Sequence, residues 1–347
     1  MTTSRPLFTR RGRTRCWRLA AAPVSLALVA LALSGCGDSD SGGDDDSHLV
    51  INYYQGVDVS VVPYVAEQTG MFEKNGIKVK LVPTSSGPAT TSALLSGDLD
   101  MITNQVPGMM QLLEQGQDVK AVTGVYSAYP FSIVTTKSVP TKNANKFPEA
   151  LHNLKGKTFG VDAIGGVTYK IMRSFLRTAG MNPDKDVKFV AVGTTSQLTS
   201  SLQNGQIDAF NALPTDVTRL VDIDHKANEL IDFSKHGPKE FKPWQLSAYF
   251  TKTDRLEERP KVFKSFQKAW TDTVAYMKDP ANADKINPMV GKFLNLPPDQ
   301  AGKLLKKILP LLDGRNSPKA LDNIAQFLAD SKITKKRVDG AHAIWKG

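Results

Sequence analysis

VKLVPTSSGPATTSALLSGDLDMI at residues 79–102 and VKFVAVGTTSQLTSSLQNGQIDAF at residues 187–210 decide the fold. At a fixed offset of 108 they share Val79/Val187, Lys80/Lys188, Val82/Val190, Thr91/Thr199, Ser92/Ser200, Leu94/Leu202, Gly97/Gly205 and Asp100/Asp208. Upstream, Thr69-Gly70-Met71 faces Ala179-Gly180-Met181. Each copy reads as a β-rich run, a polar turn, a helix, and Gly-x-apolar-Asp before a second apolar run. Strand and helix periods alternating at this spacing predict parallel sheets covered by helices. Self-similarity at a fixed offset predicts that the unit occurs twice.

The alternation continues outward. Strands are expected at His48–Tyr54, Val79–Val82, Leu99–Asn104 and Val119–Val125, and helices over Val61–Lys74, Thr90–Leu95, Met109–Glu114 and Tyr169–Leu176. FSIVTTKS at Phe131–Ser138 and LSAYFTKT at Leu246–Thr253 resemble each other, and are expected to be two hinge strands, one carrying the chain into a second lobe and one returning it. The predicted fold is therefore α/β with two lobes. Lobe one is residues 48–136 plus 246–347, and lobe two is 139–245. Val262–Met277, Ala301–Leu312 and Ala320–Ala329 have apolar residues every three to four positions, so the C-terminal part is helical.

The N-terminus sets the compartment. Residues 1–18 hold six arginines and no acid, and an apolar run from Leu19 to Leu33 follows. A basic segment and a fifteen-residue run, apolar but for Ser25, fit a secretory signal, since a membrane span needs about 20. Leu33-Ser34-Gly35-Cys36 resembles the bacterial lipobox, which implies lipid on Cys36. Residues 36–47 then form an acidic tether with too few apolar residues to fold. A lipid anchor on the extracytoplasmic face of a cell membrane is expected.

Cys16 and Cys36 are the two cysteines, so a chain cleaved before Cys36 has no internal disulfide and no thiolate nucleophile in its body. The whole chain has 44 basic and 34 acidic residues. Without residues 1–35 the charge falls to +4, and from His48 onward it is +9. That balance suits an anionic ligand. The lysines are scattered, and with export they argue against nucleic acid. The five histidines show no metal-ligand spacing, and no P-loop, G-x-S-x-G or H-E-x-x-H is present. No metal, cofactor or enzymatic activity is expected.

Four segments resemble the solute-binding proteins of nitrate, sulfonate, taurine and thiamine-pyrimidine ABC importers. They are AEQTGMFEKNGIKVK at Ala66–Lys80, ALLSGDLD at Ala93–Asp100, LKGKTFGV at Leu154–Val161, and Gly205–Asp208 with the strand after it. The resemblance covers roughly Leu49–Pro214. It implies a type II periplasmic-binding-protein-like fold, a monomer that closes on a small solute, and a permease partner. A eukaryotic branch of the same superfamily makes the thiamine pyrimidine through a cysteine-rich motif, for which Cys36 is the sole counterpart here. A ligand sensor is the remaining alternative.

In open α/β sheets ligands sit beyond the carboxyl ends of the strands. That rule names Tyr54, Gln55 and Asp58 after the first strand, Ser85 and Ser86 after the second, and Asn104 and Gln105 after the third. In the second lobe it names Gly166 and Thr168, at a helix start, and Asn211. Tyr54, Tyr126 and Trp244 are candidate aromatic walls. Tyr54-Gln55 resembles the sulfonate and taurine branch. Helix starts with small residues offer free N–H groups to an oxyanion. No arginine lies in these loops, so a neutral heterocycle such as a pyrimidine, stacked on Tyr54 and Trp244, stays open.

Overall fold

A computed structural model describes residues 47–347. The secretory segment, Cys36 and the tether as far as residue 46 lie outside the described residues. The first part runs β1 (His48–Tyr53), α1 (Val61–Gln68), α2 (Met71–Lys74), β2 (Lys78–Pro83), α3 (Gly87–Ser96), β3 (Ile102–Gln105), α4 (Val106–Glu114) and β4 (Val119–Gly124). Next come β5 (Ser132–Thr136), β6 (Lys157–Val161), α5 (Val167–Thr178), β7 (Val187–Ala191), α6 (Thr195–Gln203), β8 (Ala209–Ala212), α7 (Pro214–Val217), β9 (Ala227–Asp232) and α8 (Phe233–His236). The chain ends with β10 (Ser247–Lys252), α9 (Thr253–Glu258), α10 (Pro260–Lys278), α11 (Ala283–Leu294), α12 (Pro298–Ile308) and α13 (Pro318–Asp330).

Several helices begin earlier than their apolar periodicity suggests. Helices α3, α4, α10, α12 and α13 each carry proline in the first two helical positions. There the fixed φ suits the helix and the missing N–H costs nothing. The single helix expected over Val61–Lys74 is divided at Gly70, which sits at φ +66° in the left-handed region.

The two copies of the repeat build two sheets of the same order. β1 pairs in parallel with β2, and Ile51 bridges to Met101 just before β3. β10 then lies antiparallel between β3 and β4. The second sheet runs β7-β6-β8-β5-β9, with β5 antiparallel between β8 and β9. The repeated aspartates do the same work in each. Asp100 N–H donates to Val50 O (2.8 Å), and its carboxylate accepts from Val50 N (2.7 Å). Asp208 N–H donates to Thr158 O (2.8 Å), and its carboxylate accepts from Thr158 N (2.8 Å). Val50 and Thr158 are again 108 positions apart.

The pairing explains the likeness of FSIVTTKS and LSAYFTKT differently from a hinge. β5 and β10 are equivalent strands, each bonded on both edges within its own sheet. The chain passes between sheets outside them, at residues 125–131 and 237–246. Those crossings meet through Val125 N to Ser247 O (3.0 Å) and Leu246 N to Tyr126 O (2.9 Å). The C-terminal helices cover the first sheet. Tyr249 of β10 packs edge-on against Phe266 (5.0 Å) and Trp270 (5.4 Å) of α10.

Candidate functional site

The carboxyl ends of both sheets open onto one cavity of about 1060 Å3. The first sheet contributes Tyr54 and Gln55, Pro83–Ser86, Thr103–Gln105, and the α4 residues Gly108, Gln111, Leu112 and Gln115. The second contributes Gly160–Asp162, Gly165–Thr168, Gly193–Ser196, Asn211 and Leu213, the crossings add Phe131 and Leu246, and β10 adds Ser247. Four of the longer helices start at it: Ser86, Gln105, Gly166 and Thr194, the N-cap residues of α3, α4, α5 and α6, all line the cavity, as does Leu213 ahead of the single-turn α7. Their partial positive ends favour an anionic group. Ser86 and Thr194 cap their own helices, accepting from Ala89 N and Gln197 N at 3.4 Å. α4 and α5 have no side-chain cap.

Several lining side chains are fixed by their neighbours. The Tyr54 hydroxyl meets Thr90 Oγ1 (3.2 Å), which donates to Thr84 Oγ1 (2.9 Å). Burial, and to a smaller degree the nearby Asp162 charge, push the Tyr54 hydroxyl up to about 12, so it stays a neutral donor. Asn104 Nδ2 is spent on Gly87 O (3.0 Å), which braces the start of α3. Gln105 Nε2 donates to Thr168 Oγ1 (3.2 Å), and Lys170 Nζ donates to Gln111 Oε1. These two bonds join α4 to α5, and therefore one sheet's helices to the other's.

Of the residues named from sequence, Tyr54, Gln55, Ser85, Ser86, Asn104, Gln105, Gly166, Thr168 and Asn211 line the cavity. Asp58, Trp244 and Tyr126 do not. Trp244 is 1% exposed, stacked on Phe241 (3.8 Å between centroids) with Phe327 and Tyr129 edge-on. An indole offers so much apolar area that the aromatic core claims it. Tyr126 is also fully buried. Asp58 is neither a ligand-facing acid nor the cap of α1, since its Oδ2 accepts from Thr215 N (3.2 Å), at the start of α7 on the far side of the crossings. Burial pushes its carboxyl up to about 6. Burial, then the Asp58 charge, push Asp216 up to about 7. The two acids form a buried pair behind the cavity.

Sequence reasoning missed Asp162 and the Gly193–Ser196 turn. The 108-residue offset would have found both, for it carries Tyr54 onto Asp162 and Ser86 onto Thr194. Among the described residues Asp162 is the one charged side chain in the lining, so the +9 charge of the body lies elsewhere. Among the described residues no cluster of three or more His, Cys, Asp or Glu is placed to hold a metal, and no helix is long and apolar enough to cross a membrane.

The chain is 28% identical over 162 residues to a Haemophilus influenzae protein provisionally named for thiamine biosynthesis, spanning 46% of this chain and about half (48%) of that relative. It is 23% identical over 338 residues to a Bacillus subtilis protein provisionally named as aliphatic sulfonates-binding, covering 91% of this chain and 92% of that one. Among solved structures it superposes on the alkanesulfonate-binding protein SsuA of Xanthomonas axonopodis pv. citri, bound to MOPS, with a TM-score of 0.69 and 17% identity over 86% of this chain and 98% of that one. That likeness fixes the fold as periplasmic-binding-protein-like. A family model described as NMT1/THI5 like matches residues 59–283, well over half of the sequence, and the chain belongs to the NMT1/THI5-like family.

Proposed function

We propose that the chain is an extracytoplasmic solute-binding protein that hands a small molecule to an ABC importer permease. It acts as a monomer held at the membrane by lipid on Cys36. The observation that carries the reading is the shared cavity, built from the carboxyl ends of two sheets and faced by four helix starts. The residues around β1–β4 and β10 with the C-terminal helices form one lobe, those around β5–β9 the other, and the crossings at 125–131 and 237–246 bend as they close. The names of the sulfonate-binding relatives support the same reading.

The solute is a small oxyanion, such as a sulfonate, taurine or nitrate. Each helix start contributes about 0.3–1 kcal/mol, so four supply about 1–4 kcal/mol, while micromolar affinity needs about 8. Direct bonds from Ser85, Ser86, Thr168, Thr194 and Asn211 make up the difference. A second reading, an aminated heterocycle such as a thiamine-precursor pyrimidine, is favoured by Asp162 and by the flat walls of Tyr54 and Phe131. Native mass spectrometry of purified protein, followed by calorimetry against taurine, alkanesulfonates, nitrate and aminopyrimidines, tests both. Binding of the heterocycle alone, with no anion bound below millimolar, refutes the oxyanion. Cys36→Ala should release the protein from membranes, and membrane retention of the cleaved variant would refute the lipid anchor.

A further inference from the structure

The unsatisfied groups of the cavity wall define what a solute has to bring. Four lining side chains hold buried polar atoms with no hydrogen bond inside the protein: Gln105 Oε1, Asp162 Oδ1, the amide of Asn211 and Ser247 Oγ. Asn211 and Ser247 are only 6% and 4% exposed. Gln105 has given one Nε2 hydrogen to Thr168, and its Oε1 is buried in the wall with no donor of its own. Asp162 is an acceptor when ionised. A carboxylate oxygen and an amide oxygen left without donors are costly to bury. A sulfonate or nitrate consists of acceptors and satisfies neither. No lysine or arginine lines the cavity among the described residues to do so from within.

We infer that the solute presents a nitrogen bearing N–H, protonated or amidine-like, to the carboxylate of Asp162, and that this side chain sets the choice between aminated and plain solutes. The inference deepens the solute-binding reading of the same cavity and rests on it. Asp162 lies at the position of the second repeat equivalent to Tyr54, close enough for its charge to act on that hydroxyl. Burial raises the Asp162 carboxyl, backbone N–H groups of Ala163 and Asp162 offset only part of that, and no cationic side chain contributes. The start of α5 closes over the same group: a Cβ at Gly166 would stand 3.5 Å from both carboxylate oxygens. The helix end offsets part of the charge, but an exposed helix end contributes less than a charge-assisted hydrogen bond. An aminoalkanesulfonate would set its anion on the helix starts and its ammonium on Asp162. An aminopyrimidine would present its exocyclic amine there.

Matched pairs test the inference, with calorimetry on the full mature chain. The probes are 2-aminoethanesulfonate against ethanesulfonate, and 4-aminopyrimidine against pyrimidine. In at least one pair the aminated member should bind tenfold or more tighter, and Asp162→Asn should bring that ratio close to one. Preference in the sulfonate pair identifies a zwitterionic solute, and preference in the pyrimidine pair an aminated heterocycle. Equal affinities within every pair that binds would overturn the role of Asp162 and leave the solute-binding reading standing. A variant with lowered melting temperature and an unchanged ratio would make Asp162 a structural partner of α5 alone, and overturn the inference likewise. Binding of neither pair, with none of the wider anion panel bound, would remove both readings together.

Discussion

Asp216→Asn should stabilise the protein at pH 8 and change little at pH 4. Asp216 is 7% exposed, and its carboxyl accepts from Leu213 N (3.1 Å) and Thr199 Oγ1 (3.1 Å). Burial first, and the Asp58 charge second, raise it from 3.8 to about 7, with Arg219 offsetting only part. Above pH 3.8 the unfolded chain releases this proton while the folded chain keeps it. The stabilisation is therefore full below pH 3.8 and lost as the pH climbs through about 7. At about 1.36 kcal/mol per unit the whole loss is about 4 kcal/mol, of which about 2–3 falls between pH 5 and 8. The amide has no proton to lose, its oxygen can keep the Leu213 bond, and the Thr199 hydroxyl can turn to accept. Urea unfolding by circular dichroism, run on both proteins from pH 4 to 8, reads the difference. Acids whose pKa is lowered by ion pairs, such as Asp184 and Asp313, are present in both and cancel. The gap in unfolding free energy should widen by about 2–3 kcal/mol from pH 5 to pH 8. Parallel curves, with a constant gap, would refute the buried neutral acid.

Asp208→Ala should cost about 1–3 kcal/mol, because it strands the buried-edge N–H of Thr158, and a change in urea midpoint worth less than 0.5 would show that water replaces the bond. Trp244→Ala should cost about 3–5 kcal/mol through the aromatic cluster while leaving solute affinity nearly unchanged. A loss of affinity at undiminished stability would put the indole back in the site. Solution scattering should show a smaller radius of gyration once a solute from the panel is bound at saturation, and an unchanged radius would count against closure about the crossings.

The fold was legible because the repeat couples three levels. Val79/Val187 fix a strand, Leu94/Leu202 a helix face, and Asp100/Asp208 the bond that ties the unit to the sheet's first strand. Helix starts were less legible, since Pro88 and Pro318 open helices before the first buried periodic residue. Strand function was misread at Phe131–Ser138, because a central strand and a linker strand share composition and differ only in whether both edges are paired. In the site, loop residues after parallel strands were readable from the position of the strand ends alone. Trp244 and Asp58 were not, because whether a large or charged side chain turns to the core, to a neighbouring element or to the cavity depends on long-range packing, and here Trp244 meets Phe327 and Asp58 meets Thr215.

The sheet order carries a mechanical consequence for the proposed closure. Each sheet takes its antiparallel strand from the far side of a crossing: β5 follows β4, and β10 follows β9 and α8. Both strands are bonded on two edges, so neither can shift without breaking several backbone hydrogen bonds at once. Relative movement of the sheets then has to be absorbed in residues 125–131 and 237–246, where the two crossings run side by side through the Val125–Ser247 and Leu246–Tyr126 bonds. Those same segments supply Phe131 and Leu246 to the cavity wall, and Ser247 follows as the first residue of β10. A solute touching them contacts the bending region itself as well as both faces. Contacts that differ between open and closed arrangements are what allow a ligand to shift a conformational equilibrium. The buried Asp58–Thr215 bond spans the same junction from behind. The Asp58 carboxylate and the proposed solute therefore bear on one bend from its two sides.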